Sequence, residues 1–405
     1  MHRNLKYNME KITKDNHLFK DKNLEDKDLS NSGIFPTGVL PSQTLRDLIN
    51  EKVIFSLDDQ IEESQIQPAS IDLRLSRYAY RVRASFLPGE SFTVMQKIDT
   101  LGMHKIDLLG GNVLERGAVY IVPLQESVVL PSRVSGIANP KSSIGRVDVF
   151  TRLITDKGVE FDRINEGYKG FLYAEISPRT FSVIVSKGTK LLQMRLRRGT
   201  PRPNDTATRR LHEKVKLVES KYTDKEFAKR IKNGVPISVD LSGENTNTII
   251  GYKAKKYTSL IDLDKVNEYN LENFWEKIYV NNNKNLILDP YAFYILVSKE
   301  AVTVPPDYAA EMAAFNPLHG EFRVHYAGFF DPGFGHHSLG GKGSKAVLEV
   351  RSYELPFTLE DGQIVCRIIY ERLTENPDKS YGSEKLNSNY QAQNLKLSKH
   401  FKNSI

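Results

Sequence analysis

Two stretches of this chain repeat one another in order, and that repetition restricts the fold more than any other feature. Pro68-Ala-Ser-Ile-Asp72-Leu returns as Pro236-Ile-Ser-Val-Asp240-Leu, an offset of 168 positions from Asp72 to Asp240. Ala118-Val-Tyr-Ile-Val returns as Ala292-Phe-Tyr-Ile-Leu, an offset of 174, and each is followed thirteen residues on by a proline, Pro131 and Pro305. Asn139-Pro140 has a counterpart in Asn316-Pro317, Glu175 in Glu349 and Gly188 in Gly362. A helix precedes the first strand in both copies. Ser42 is placed to cap one in which Leu45, Leu48, Ile49 and Val53 share a face. Thr223 and Glu226 form a capping-box pattern, stopped by Gly234. Landmarks in one order at near-constant spacing imply two copies of one domain, joined by a charged segment near 200–222.

Each copy reads as β structure. Ile71, Leu73 and Leu75 alternate with polar residues, the period of a half-buried strand. Short apolar runs follow at 119–122, 128–130, 171–176, 183–185 and 191–196, separated by Pro, Gly, Ser and Asn. Many short strands with turn residues between them predict a barrel or a sandwich. A length of 405 residues accommodates two such cores. Residues 1–33 read as a solvated polar tail without the apolar stretch of a signal peptide, and no run approaches a membrane span. The single cysteine, Cys366, excludes an internal disulfide and a Cys-rich zinc site, and it fits a reducing cytoplasm. Basic and acidic residues, 57 against 50, are interspersed without a long basic stripe. A small polyanion such as a nucleotide accounts for the +7 net charge as well as a nucleic acid does.

Chemistry concentrates at Asn139-Pro140-Lys141-Ser142-Ser143-Ile144-Gly145-Arg146. Lys141 and Arg146 bring permanent positive charge, and the Arg146 fork can hold two phosphate oxygens at once. Ser142 and Ser143 add short donors. In the strand that follows, Phe171, Tyr173 and Glu175 share one face and Leu172, Ala174 and Ile176 the other. Glu349 occupies the same slot of the second copy. A carboxylate on a partly buried strand acquires a raised pKa, which suits a general base or acid. The second copy also carries Phe329-Phe330-Asp331-Pro332-Gly333, a turn with aromatics able to stack on a base, where the first keeps only Phe161-Asp162. Tyr390, Gln391 and Gln393 lie in a polar tail able to close over a ligand. His336 and His337 point apart on a strand and make a poor metal pair, and the glycines at 340–343 lack the strand–loop–helix context of a phosphate cradle.

With these residues in order, the chain resembles the dCTP deaminase family of the dUTPase-like superfamily, in its long, duplicated bacterial form. The strand around Asp72, the Ser142-Ser143-x-x-Arg146 turn, the strand ending in Glu175 or Glu349, and Tyr390-Gln-Ala-Gln393 are similar to that family's ordered motifs. The resemblance implies two tandem dUTPase-like β-barrel (β-clip or jelly-roll-like) domains with short flanking helices. Their bounds would be 34–205 and 206–374, between the tail at 1–33 and a nucleotide lid at 375–405. It implies metal-independent hydrolysis of dCTP to dUTP and ammonia, with Mg²⁺ carried by the substrate triphosphate. Glu175, Ser142 and Arg146 would be catalytic. Lys141, Ser143, Asp162, Gln193, Tyr390, Gln391 and Gln393 would bind nucleotide, with Asp331 and Glu349 as second-copy candidates. The expected partners are dCTP or dUTP, dTTP as a candidate inhibitor, and copies of the chain in a trimer, with no membrane and no nucleic acid.

Lys141 stands where the family commonly has arginine, and the second copy shows Leu318-His319-Gly320 in place of the serines and arginine. Two arrangements are open: neighbouring first copies complete each other, or the second copy lends its Asp331 turn and Glu349. The first is favoured, because the first copy alone retains both the Ser/Arg turn and a glutamate. Rival readings are a dUTP pyrophosphatase, a bifunctional deaminase and pyrophosphatase, and a non-catalytic nucleotide-binding regulator.

Overall fold

The computed structural model describes residues 37–201, 204–243, 248–313, 322–324, 328–337, 343–380 and 394–402. Residues 1–36, Asn316-Pro317, Leu318-His319-Gly320, Gly340 to Lys342, Tyr390, Gln391 and Gln393 lie outside these. The described chain is mainly β, and no described helix is long and apolar enough to cross a membrane.

Two six-stranded antiparallel sheets share one strand order. In the first half it runs Gly102–Asp107, Tyr78–Val82, Val119–Val129, Lys169–Pro178, Val149–Thr155, with Ile54–Ser56 also on Val119–Val129. In the second half it runs Trp275–Tyr279, Ile249–Ala254, Phe293–Val302, Ser344–Ser352, Phe322–Val324, with Val218–Glu219 on Phe293–Val302. A second pair of sheets matches in the same way. Ile71–Arg74, Lys190–Arg198, Val134–Pro140 and Arg163–Ile164 correspond to Val235–Ser238, Ile364–Arg372, Tyr308–Ala313 and Phe329–Phe330.

Alternation decides what each strand buries. Leu172, Ala174 and Ile176 enter the larger core, while Tyr173 and Phe171 face outward into a smaller cluster. That outer face is covered by the helix Val94–Leu101, which drops Val94 and Ile98 onto Val82, Ile121 and Ile154. Thr93 caps this helix in a reciprocal box with Gln96. The second half solves the same problem differently. Its Tyr252, Trp275, Phe293, Ile295, Val297 and Val347 join the core of the first half, so one half lies directly on the other. Val183–Val185 pairs in parallel with Ile261–Asp262, and Arg197 bonds Glu311 at 2.8 Å and Glu371 at 2.6 Å across the same boundary.

Two helix starts test the capping expectations. Thr223 caps Asp224–Arg230 with Glu226 completing the box. Ser42 does not cap its helix. Pro41 is the N-cap, and Ser42 is the first helical residue, with its hydroxyl turned to Asp378. Pro at the cap leaves the orphan helix donors to other groups, and the serine is drawn instead to a distant carboxylate.

Candidate active site

The Ser/Arg turn is positioned by a row that crosses three strands. Asp72 pairs in register with Gln193, and Gln193 with Asn139, two residues before Lys141. Gln193 donates through Nε2 to Asp72 Oδ1 at 3.1 Å, and Lys141 forms an ion pair with Asp72. Pro140 ends its strand, Lys141 serves as the N-cap, and Ser142–Gly145 makes a single helical turn that carries Arg146 inward. Ser143 and Arg146 are buried and Ser142 half-buried. The C-terminal segment passes alongside. Arg146 Nη1 donates to the Lys396 carbonyl at 2.9 Å, and Ser398 Oγ donates to the Ser143 carbonyl at 2.7 Å.

The second half brings its carboxylates to this turn. Glu349 is fully buried on Ser344–Ser352, and burial pushes its carboxyl up to about 8. The charge of Arg146 pulls it back down, and that of Asp148 adds to the rise. Two residues along each segment the charges are exchanged and form an ion pair. Arg351 pairs with Asp148, and its Nη2 donates to Thr180 Oγ1 at 2.8 Å. Asp331 is half-buried, and desolvation pushes it up to about 6, opposed by Arg195 and Lys141 and reinforced by Asp72. Arg195, fully buried, donates to the Ala310 carbonyl at 3.0 Å and lies 4.0 Å from the centre of the Phe329 ring, so a first-half cation orients the second-half turn.

Glu175, the glutamate favoured from sequence, has another neighbourhood. Arg152 lies directly opposite it on the adjacent strand and bonds Glu175 Oε1 through Nη2 at 2.6 Å and Nε at 3.2 Å. The guanidinium sits 3.4 Å from the centre of the Phe161 ring and donates to Ser85 Oγ at 3.1 Å. Asp162 shares this pocket. Its carboxylate accepts from the Leu153 amide at 2.7 Å, and burial raises it to about 7. The structure thus groups Lys141, Ser142, Ser143, Arg146 and Gln193 with Asp331 and Glu349, and groups Glu175 with Asp162 and Arg152 instead. Asp72, Asp148, Arg195 and Arg351 were not singled out as site residues from sequence. The recurrence of Asp72 at Asp240 was the available signal for the first. Among the described residues no group of His, Cys, Asp or Glu could hold a metal ion.

The raised carboxyl of Glu349 sets a pH dependence of stability. The folded chain holds a proton there that the unfolded chain releases above about 4.5, so this group's contribution falls as pH rises from about 4.5 to about 8. Glu349→Gln removes that loss. Thermal melts at pH 5 and pH 8 are expected to show the variant gaining on the parent as pH increases.

Two family models match the chain one after the other. The model of the 2'-deoxycytidine 5'-triphosphate deaminase N-terminal domain matches residues 36–200, and that of the C-terminal domain matches 204–401. The dCTP deaminase, dUMP-forming, of Methanosphaera stadtmanae is 29% identical over 163 residues, covering 39% of this chain and 75% of that protein. Its namesake from Halobacterium salinarum is 31% identical over 134 residues, covering 32% and 61%. The crystal structure of 2'-deoxycytidine 5'-triphosphate deaminase from Agrobacterium tumefaciens is 51% identical, covers 85% of this chain and 100% of that chain, and superposes with a TM-score of 0.79. With a relative of that identity spanned from end to end, and both domain models matched in order, the chain belongs to the dCTP deaminase family.

Proposed function

We propose that the chain deaminates dCTP by hydrolysis to dUTP and ammonia, in a site built within one chain from the Ser/Arg turn of the first half and Glu349 of the second. The observation that carries this reading is the effect of Arg146 on Glu349: a buried carboxyl raised to about 8 by desolvation and drawn back by one cation. Such a group exchanges protons near neutrality. Protonated, Glu349 gives its proton to N3 of the cytosine ring, which makes C4 more electrophilic. The carboxylate then takes a proton from the attacking water and passes it to the exocyclic nitrogen, which leaves as ammonia while the C4 hydroxyl returns its proton to Glu349 and becomes the carbonyl. Arg146 stabilises the carboxylate while it is charged, and Ser142 orients the water. Lys141 and Ser143 hold phosphate, and Mg²⁺ rides on the triphosphate without a protein cage.

The matched sheet orders support reading the chain as an internal repeat, each half a dUTPase-like barrel, with the division between 205 and 206. A trimer of such chains, inhibition by dTTP and a cytoplasmic setting fit the reading. Because both parts of the proposed site come from one chain, assembly would bring finished sites together. A second reading, release of dUMP, is favoured by the names of the relatives, which are dUMP-forming. Incubating the protein with dCTP and with dUTP separately, and assaying ammonia and pyrophosphate, distinguishes them: ammonia alone is expected, and pyrophosphate from either nucleotide would establish the second. Glu175→Gln is expected to keep the rate of ammonia release within about threefold, since it lies outside the proton transfers worth about 10²–10⁴.

A further inference from the structure

The outer face of the first-half sheet carries a feature with no part in the site above. Beside the helix Val94–Leu101 lies a cavity of about 490 Å³, and none of its lining residues belongs to the Ser/Arg turn or to the second half. Its floor is the middle of the Val119–Val129 strand, with Pro123, Gln125 and Ser127 facing in. Its walls are aromatic. Tyr78 and Tyr80 rise from the strand on one side, Phe171 and Tyr173 from the strand on the other. Tyr173 pairs with Pro123 and Tyr80 with Ile121, and the two-residue step brings Tyr78 level with Pro123. Strands on either side of a third are about 9.6 Å apart, room for one planar ring between two aromatic faces. Lys105 covers one face of Tyr78, its ammonium 3.3 Å from the ring centre.

The polar groups define what the ring should offer. Gln125 is buried, and its Nε2 donates to the Leu75 carbonyl at 3.0 Å, which fixes the amide orientation. Its Oε1 is buried with no hydrogen-bond partner among the described residues. A buried acceptor in that state calls for a donor, and a ring N–H supplies one. At the rim stand Arg77, Lys105 and Lys187, with Asp58 beside them. Arg77 pairs with Asp107 at 2.7 Å and Lys187 with Asp59 at 2.9 Å, in contacts open enough to water to exchange for a ligand anion. Three cations set against three carboxylates leave little net charge, which suits one phosphate better than three.

We infer that this cavity is a second ligand site, for a nucleoside monophosphate whose base presents a ring N–H. The cavity and its lining carry this assignment independently of the deamination reading. dUMP has the required chemistry and is the probe of choice. Isothermal titration of the full chain carrying Lys141→Ala, which removes a phosphate contact of the proposed active site, is expected to show one dUMP bound per chain. Tyr78→Ala and Gln125→Met should each weaken it at least tenfold, and 3-methyl-dUMP, which lacks the ring N–H, should bind similarly poorly. Neither substitution should alter dCTP turnover measured without dUMP, which also reports that the variants fold. No heat with dUMP at millimolar concentration, or binding indifferent to both substitutions, would overturn the proposal. So would a dimer in sedimentation that Tyr78→Ala dissociates, since the face would then be a contact between copies of the chain. Failure of the deamination reading would register separately, as absence of ammonia.

Discussion

Glu349→Gln lowers the rate of ammonia release from dCTP by about 10²–10⁴-fold, the usual worth of a positioned acid–base group. Glutamine keeps the shape and one carbonyl acceptor but can neither give nor take the proton. Binding of dCTP is expected to change only a few-fold, because the ground-state contacts proposed for phosphate lie on Lys141 and Ser143. The loss therefore falls on kcat and leaves KM nearly alone, the pattern of an interaction made mainly in the transition state. The pH profile gives a second reading. Burial pushes the group up to about 8, so the parent should show a limb near that pH in kcat/KM, absent from the residual activity of the variant. A variant that retains full activity, or one in which only KM rises, would exclude Glu349 as the proton carrier.

Arg146→Ala is expected to cost about 10²–10³-fold, the scale found when one preorganised donor is removed from a developing charge. Its effect on Glu349 has a definite sign. The cation holds that carboxyl down against burial, so its removal lets the group rise further above about 8 and shifts the pH limb upward. Arg146→Lys keeps the charge but loses the planar fork, including the bond to the Lys396 carbonyl, and should fall between parent and alanine variant. An unmoved pH limb in Arg146→Ala would show that the two groups do not act on one another during turnover.

The positions of these residues were unequally legible in the sequence. Local period and turn chemistry are short-range, and the strands carrying Glu175 and Glu349, the alternation of Leu172 and Tyr173, and the Thr223 cap fall where the pattern puts them. Asp72, Gln193 and Asn139 meet through strand register, which no single segment encodes. Which glutamate faces Arg146 depends on one half lying on the other through Trp275, Phe293 and Val347, a long-range packing choice invisible in spacing. Arg152 lies directly across from Glu175 although the connection between their strands passes through Arg163–Ile164 in another sheet, so spacing did not disclose that pairing either. The helix Val94–Leu101, opened by the Thr93–Gln96 box, was not among the expected elements, and its role as cover for the outer face emerges only from the packed sheet.

The Arg152 guanidinium carries a consequence of its own. Its planar N–C–N edge has the outline of the N3–C4–N4 edge of cytosine, and it presents that edge to a glutamate while stacked on Phe161. The first half therefore fills its own glutamate slot with a side chain shaped like the group a deaminase would admit. Under the proposed assignment, duplication has not doubled the machinery. Titrated to saturation with dCTP, a chain with two matching sheets should count as a one-site enzyme.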